Sequence, residues 1–167
     1  MKKILLVGCG HMGEALLTSW LKSNNYYVTV IDPIKYNYLK NNYKNKKIQI
    51  FKSVSKIDKY FDTDFIIFAV KPFDLKNVLD EFSEVEFKKT CIVISIIAGK
   101  RIKEFKNRLK KIKYFFRVMP NLPASIGESM NCITANKNMS KFRKNQVLKI
   151  FNYSGRSIYL KDENEID

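Results

Sequence analysis

The chain has 167 residues, 46% of them hydrophobic, which is long enough for one domain with its own core and too apolar for a disordered tail. Its 31 basic residues stand against 16 acidic ones, a net charge of +15, and no window approaches the roughly 18 apolar residues of a membrane span. One histidine and three scattered cysteines leave no C-x-x-C pair and too few ligands for a Cys/His zinc site, so no metal is expected.

The opening stretch KKILLVGCGHMG has two readings. A basic start, an apolar run and Cys9 suggest a lipoprotein export signal; three glycines after a strand suggest a phosphate-holding turn. ILLV supplies only four apolar residues, where an export signal needs about 7–15. Polar sequence containing Glu14 follows at once, so the export reading fails and a cytoplasmic protein is expected. KILLV is then a buried strand, and HMGEALLTSWLKS is a helix with Met12, Leu16 and Trp20 at steps of four. YVTVI is a second strand, residues 36–42 a short polar helix and IQIF a weak third strand. DFIIFAV is a continuous apolar run of the kind buried on both faces of a parallel sheet. FDLKNVLDEF reads as a helix, CIVISII as a strand, 100–109 as a helix and KYFFRVM as a strand. SMNCITA adds another strand, followed by a helix over 140–151 and a last strand at SIYL.

This alternation predicts an α/β fold, a Rossmann-like and mostly parallel sheet with helices on both faces in three α/β/α layers. Residues 1–160 read as one dinucleotide-binding domain, with 161–167 (KDENEID) as the start of a connection beyond it.

A basic excess marks a nucleic-acid or membrane-surface partner in some proteins. Here lysine is plentiful throughout, alongside Asn, Ile, Tyr and Phe, and the charges cluster only in KRIKEFKNRLKKIK. Within that run Ile102, Phe105, Leu109 and Ile112 recur at helical steps, which leaves the cations on the wet face. That face reads as solvated or as an anion-binding surface. With no recognition motif, neither nucleic acid nor membrane is expected as a partner.

Chemistry concentrates at the strand ends. Of six glycines, Gly8, Gly10 and Gly13 stand in G-x-G-x-x-G spacing between a strand and a helix. Such glycines permit a tight turn, close approach of a pyrophosphate and close helix–strand packing, respectively, while the helix N-terminus offers free N–H donors. Asp32 follows at about the 20-residue spacing of a ribose-binding acid, which favours NAD; Lys35 offsets that charge. The alternative for Asp32 is a cap on the turn before Pro33. AVKP (residues 69–72), SIIAGK (95–100) and RVMPNLPAS (117–125) end the next three strands and should face one crevice. Lys71 suits a ribose, a phosphate, a substrate carboxylate or plain solvent, and Asn121 reads as a rigidly held amide or a turn residue. No nucleophile elbow, HExxH helix or Walker phosphate loop is present, and His11 is the only candidate imidazole base.

Taken together, GCGHMGEALL, FAVKP, SIIAG and above all RVMPNLPASIGESM resemble the pyrroline-5-carboxylate reductase family. The resemblance covers essentially the whole chain and keeps the motifs in order. It implies an oxidoreductase of proline biosynthesis, a Rossmann-like domain followed by a helical dimerisation domain, and hydride transfer from NADPH or NADH to a cyclic imine, 1-pyrroline-5-carboxylate, to give L-proline. On the same resemblance, Gly8, Cys9, Gly10, His11, Met12 and Gly13 hold the pyrophosphate. Asp32 and Pro33 lie by the adenosine ribose; Ala69, Val70, Lys71, Pro72, Ala98 and Gly99 line the nicotinamide side. Met119, Pro120 and Asn121 border the substrate. The carboxylate-binding and proton-donating segment is expected in the helical domain, which these residues do not include, and homo-oligomerisation is expected only with that domain. The alternatives are a non-catalytic NAD(P)-binding module or another nicotinamide-dependent oxidoreductase of this fold. Two departures stand out: Ile97 replaces the usual alanine, and SVSKID lacks an asparagine common near the ribose, leaving Asp32 or Lys56 to compensate.

Overall fold

A computed structural model describes residues 1–44, 47–136 and 138–166. Among these residues eight strands form one sheet in the order β3-β2-β1-β4-β5-β6-β7-β8: β1 (Lys2–Val7), β2 (Tyr26–Ile31), β3 (Ile48–Phe51), β4 (Phe65–Phe68), β5 (Ile92–Ser95), β6 (Tyr114–Met119), β7 (Ser129–Ala135) and β8 (Gly155–Tyr159). The helices are α1 (His11–Leu21), α2 (Tyr36–Asn42), α3 (Leu75–Glu81), α4 (Ile102–Arg108) and α5 (Lys141–Phe151). Each element expected from the sequence is present.

The central strands alternate between two cores, because successive side chains point to opposite faces of a sheet. Ile4 and Leu6 of β1 join Leu16, Trp20, Leu39, Val147 and Phe151 on the face covered by α1, α2 and α5. Leu5 and Val7 join Leu75, Leu79, Ile102 and Phe105 beneath α3 and α4. Both faces are therefore buried, which is why DFIIFAV and CIVISII carry unbroken apolar runs. Trp20 ties α1 to α5 by donating from Nε1 to the Ile150 carbonyl at 2.9 Å and meeting Phe151 edge-on.

Strands β1 to β6 are mutually parallel where they pair, whereas β7 runs antiparallel to β6. The reason is chain length. Residues 120–128 connect β6 to β7, fewer than the dozen or so a parallel crossover needs. That link tightens through a 3-10 turn, Leu122–Ile126, ending at Gly127 with φ +81°. Helix α5 supplies the longer crossover, so β8 is parallel to β7.

The basic run behaves as an amphipathic unit, with Ile102, Phe105, Leu109 and Ile112 all buried. Helix α4 itself ends at Arg108, earlier than the sequence pattern suggests, and Leu109 leaves it at ψ 57°. Residues 161–166 do not depart from the domain: Glu163–Ile166 forms a 3-10 turn against β6 and β7, with Ile166 buried. Asp167, the end of the expected connection, lies outside the described residues. Among the described residues no helix is long and apolar enough to cross a membrane, and no cluster of His, Cys, Asp or Glu could hold a metal ion.

Candidate functional site

The turn after β1 uses its three glycines for three different physical reasons. Gly8 takes φ +85°, and a Cβ there would lie 2.8 Å from Val70 Cγ1 and 2.9 Å from the Ala69 backbone. Only glycine fits both the angle and the space. Gly13, in the first turn of α1, faces the Gly8 carbonyl so closely that a Cβ would stand 2.8 Å from it. Gly10 is the opposite case, exposed and with nothing within 4 Å of a Cβ. Its open side is where a ligand's phosphate can approach the backbone. Gly10 also caps α1 without a side-chain bond, which leaves the first-turn amides and the positive end of the helix dipole available to an anion.

Asp32, at the tip of β2, braces this turn. Its Oδ2 accepts the Cys9 amide at 2.7 Å, while Oδ1 accepts the Ile34 amide at 2.9 Å and the Lys35 amide at 2.7 Å. One buried carboxylate thereby holds two loops together. Its surroundings make Cys9 inert: burial, then the charges of Glu14 and Asp32, push the thiol up to about 12 against the smaller opposing effect of Lys35.

Glu14 organises the adjoining corner. Oε2 accepts Lys35 Nζ at 2.6 Å, and Oε1 accepts the hydroxyls of Tyr38 at 2.9 Å and Tyr43 at 3.2 Å. Burial alone would raise the Glu14 carboxyl, but the bonds from Lys35 and Tyr38 and the Lys35 charge outweigh it and lower it below the usual range. The bond to Glu14 in turn raises Lys35.

A cavity of about 650 Å³ opens at the carboxyl ends of β1, β2 and β4. Gly8, Cys9, Gly10, Asp32, Pro33, Ala69, Val70 and Lys71 line it together. A second hollow of about 740 Å³, by Met1, Lys2, Tyr26 and Tyr153, lies at the amino ends of the strands, away from where open α/β sheets bind ligands.

The amino-terminal part of the chain matches the family NADP oxidoreductase, coenzyme F420-dependent, over residues 3–99. The chain belongs to this family. Its matched span carries the glycine turn, Asp32, the Ala69–Pro72 segment (69–72) and Gly99. Beyond it, pyrroline-5-carboxylate reductase of Staphylococcus epidermidis is 26% identical over 96% of this chain and 59% of its own length. The enzyme of the same name from Escherichia coli is 29% identical over 93% of this chain and 58% of its own. Among solved structures, Plasmodium falciparum pyrroline carboxylate reductase with NADP bound superposes with a TM-score of 0.77 at 25% identity, covering 98% of this chain and 59% of that one. The chain thus spans about three fifths of the length of the relatives it matches.

In this member of the oxidoreductase family, several expected site residues lie outside the cavity wall. His11 is exposed as the first residue of α1, Met12 packs against the core, and Gly13 is buried behind the turn. Pro72 is exposed in the turn after β4, where Lys71 lays its Nζ 5.6 Å from the Phe73 ring centre. Ala98 and Gly99 are exposed just past β5, with Gly99 at φ +67°. Met119 is half-buried at the end of β6, Pro120 buried and Asn121 exposed. Asn121 uses its side-chain Oδ1 to accept the Met130 amide at 3.0 Å, which pins the β6–β7 turn. The single crevice expected for all three strand ends is therefore formed in this chain by the first of them, Ala69–Lys71 (69–71), together with β1 and β2.

Sequence reasoning missed Ile34, Lys52, Ser53, Phe73 and Asn77, all on the cavity wall. Lys52, not Lys56, is the lysine of the third loop that reaches it. Ile34 and Phe73 carried no signal in the sequence; only the structure shows this apolar pair exposed, at 90% and 75%.

Proposed function

We propose that this chain is the cofactor-binding part of a pyrroline-5-carboxylate reductase that takes NADPH or NADH. The observation that carries the reading is the packing of the Leu122–Ile126 turn against α1. That turn directly follows residues 119–121, and α1 is the helix whose start forms the phosphate turn. The likeness to reductases of that name also runs past residue 99 through this segment. The glycine cradle fits a dinucleotide: Gly10 leaves its approach open, and Gly8 and Gly13 close the turn behind it.

When bound, NAD(P)H supplies the hydride that reduces the imine carbon of 1-pyrroline-5-carboxylate to L-proline. The chain's own residues bind and orient. Within the 8–13 turn the Gly8 and Cys9 amides are bonded to the Ile31 carbonyl and to Asp32, which keep the turn rigid, so the pyrophosphate is taken by the amides of Gly10 and of the first turn of α1. Ala69, Val70, Lys71 and Pro72, with Ala98 and Gly99, form the nicotinamide side. Met119, Pro120 and Asn121 border the substrate, with the Asn121 side-chain Oδ1 already accepting from the Met130 amide. A protonated imine is electrophilic by itself, so positioning contributes most of what these residues add. The reading places the protein in the cytoplasm with a small-molecule partner, with the carboxylate-binding and proton-donating groups in a helical domain that also mediates oligomerisation.

Calorimetric titration with NADPH and NADH, together with assay of proline formation from 1-pyrroline-5-carboxylate, tests this. Binding of a dinucleotide with slow turnover by these 167 residues is expected. Failure of both dinucleotides to bind would overturn the proposal, and turnover with a hydroxy acid instead of the imine would reassign the substrate.

A further inference from the structure

The β2–β3 tip separates two jobs that one carboxylate commonly combines. In G-x-G-x-x-G folds the acid ending the second strand contacts the ribose 2′-hydroxyl. Here Asp32 is 7% exposed and takes three backbone amides, so its charge is spent on bracing the loops. Lys35, the nearest cation in sequence, is held by Glu14 at 2.6 Å. Neither side chain is poised for the ribose edge.

Lys52 is. β3 pairs with β2 so that Ile31 stands opposite Phe51, and the Asp32 amide donates to the Phe51 carbonyl at 3.2 Å. Lys52 and Ser53 therefore leave β3 directly beside the Asp32 tip, and both line the cavity. Val54, 5% exposed, anchors the loop behind them. Lys52 is exposed and forms no ion pair among the described residues. The remaining acids of the cavity, Asp74 and Glu81, come from the α3 segment; Glu81 also lines a neighbouring hollow with Ser53 and Val54, and neither acid is ion-paired with Lys52. An unpaired ammonium beside a serine hydroxyl, at the ribose end of a dinucleotide cavity, suits a compact dianion.

We propose that Lys52 and Ser53 seat the 2′-phosphate of NADPH and so set a preference for NADPH over NADH. The assignment rests on the dinucleotide reading above. It inverts the sequence expectation that Asp32 favours NAD, and it puts the selecting charge on the third strand.

The test is calorimetric titration of the 167-residue protein with NADPH and NADH, and with 2′,5′-ADP and 5′-ADP as small probes. The wild type should bind NADPH about tenfold or more tighter than NADH, as one charge-assisted contact provides. Lys52→Ala should bring that ratio close to one, Lys52→Arg should keep most of it, and Ser53→Ala should lose a smaller part. The melting temperature of Lys52→Ala, a change at an exposed side chain, should match the wild type. Equal wild-type affinities, or a Lys52→Ala variant that weakens both dinucleotides alike, overturns the 2′-phosphate seat and leaves the dinucleotide reading standing. Binding of neither dinucleotide overturns both.

Discussion

The Asp32 carboxylate accepts the Cys9 amide at 2.7 Å across 23 residues of sequence, joining the tip of β2 to the phosphate turn. The same carboxylate holds the next turn through the Ile34 and Lys35 amides. Asp32→Asn keeps one acceptor oxygen and puts an amide donor where the other stood, facing an N–H. The substitution should cost about 2 kcal/mol, the range for breaking a buried charge-assisted hydrogen bond. Chemical denaturation reads the stability. Dinucleotide affinity should fall as well, because Cys9 lies within the cradle. Unchanged stability would show that the brace is dispensable.

Gly8 and Gly10 separate fold from binding. Gly8→Ala must adopt a left-handed angle and meet Ala69 and Val70, so it should destabilise the protein by about 2–3 kcal/mol. Gly10→Ala meets nothing and sits at φ −65°. It should melt within a few degrees of the wild type yet lose dinucleotide binding, since its methyl occupies the approach to the backbone. Thermal melts and titration of the same two variants check both halves.

Glu14 should make the corner it organises sensitive to acid. Its carboxyl is lower in the folded protein than in the unfolded chain. A depressed carboxyl contributes stability that is present above the unfolded value, 4.5, and is lost as pH falls through the folded value. Melting temperatures taken from neutral pH down to about pH 3 should therefore fall less steeply for Glu14→Gln than for the wild type. The variant should start lower at neutral pH, because Lys35, Tyr38 and Tyr43 lose an ionised acceptor.

The cysteines should react unequally. Burial raises both Cys9 and Cys91 to about 12, so at pH 8 only about one molecule in ten thousand carries either thiolate. Cys132 is half-buried. Iodoacetamide at pH 8 should label Cys132 first and leave Cys9 and Cys91 intact until denaturant is added, as peptide mass spectrometry would show. Rapid native labelling of Cys9 would mean that the phosphate turn opens.

Much of the fold was legible because the signals are local. Unbroken apolar runs such as FIIF mark strands buried on both faces, and glycine spacing marks a turn between β1 and α1. The direction of β7 was legible only in hindsight, through a connection too short to cross over. Asp32 shows the limit most plainly. Its spacing from Gly13 suits a ribose contact and a turn cap equally; the Ile34 and Lys35 amides make the local cap, and the Cys9 amide, 23 residues away, joins them only after β1 and β2 pair. Lys52 and Ser53 belong to no motif, and register with β2 alone brings them to the cavity.

By itself the sequence determined the alternation of strands and helices, the phosphate turn and the residues that must be glycine in it, since period, apolarity and backbone freedom are properties of neighbouring residues. The tertiary structure alone decided which charges face the ligand: Asp32 and Lys35 are consumed by amides and by Glu14, while Lys52 reaches the wall. Hydrogen-bond partners act over about 3 Å, and only folding brings residues so far apart in the chain to that distance.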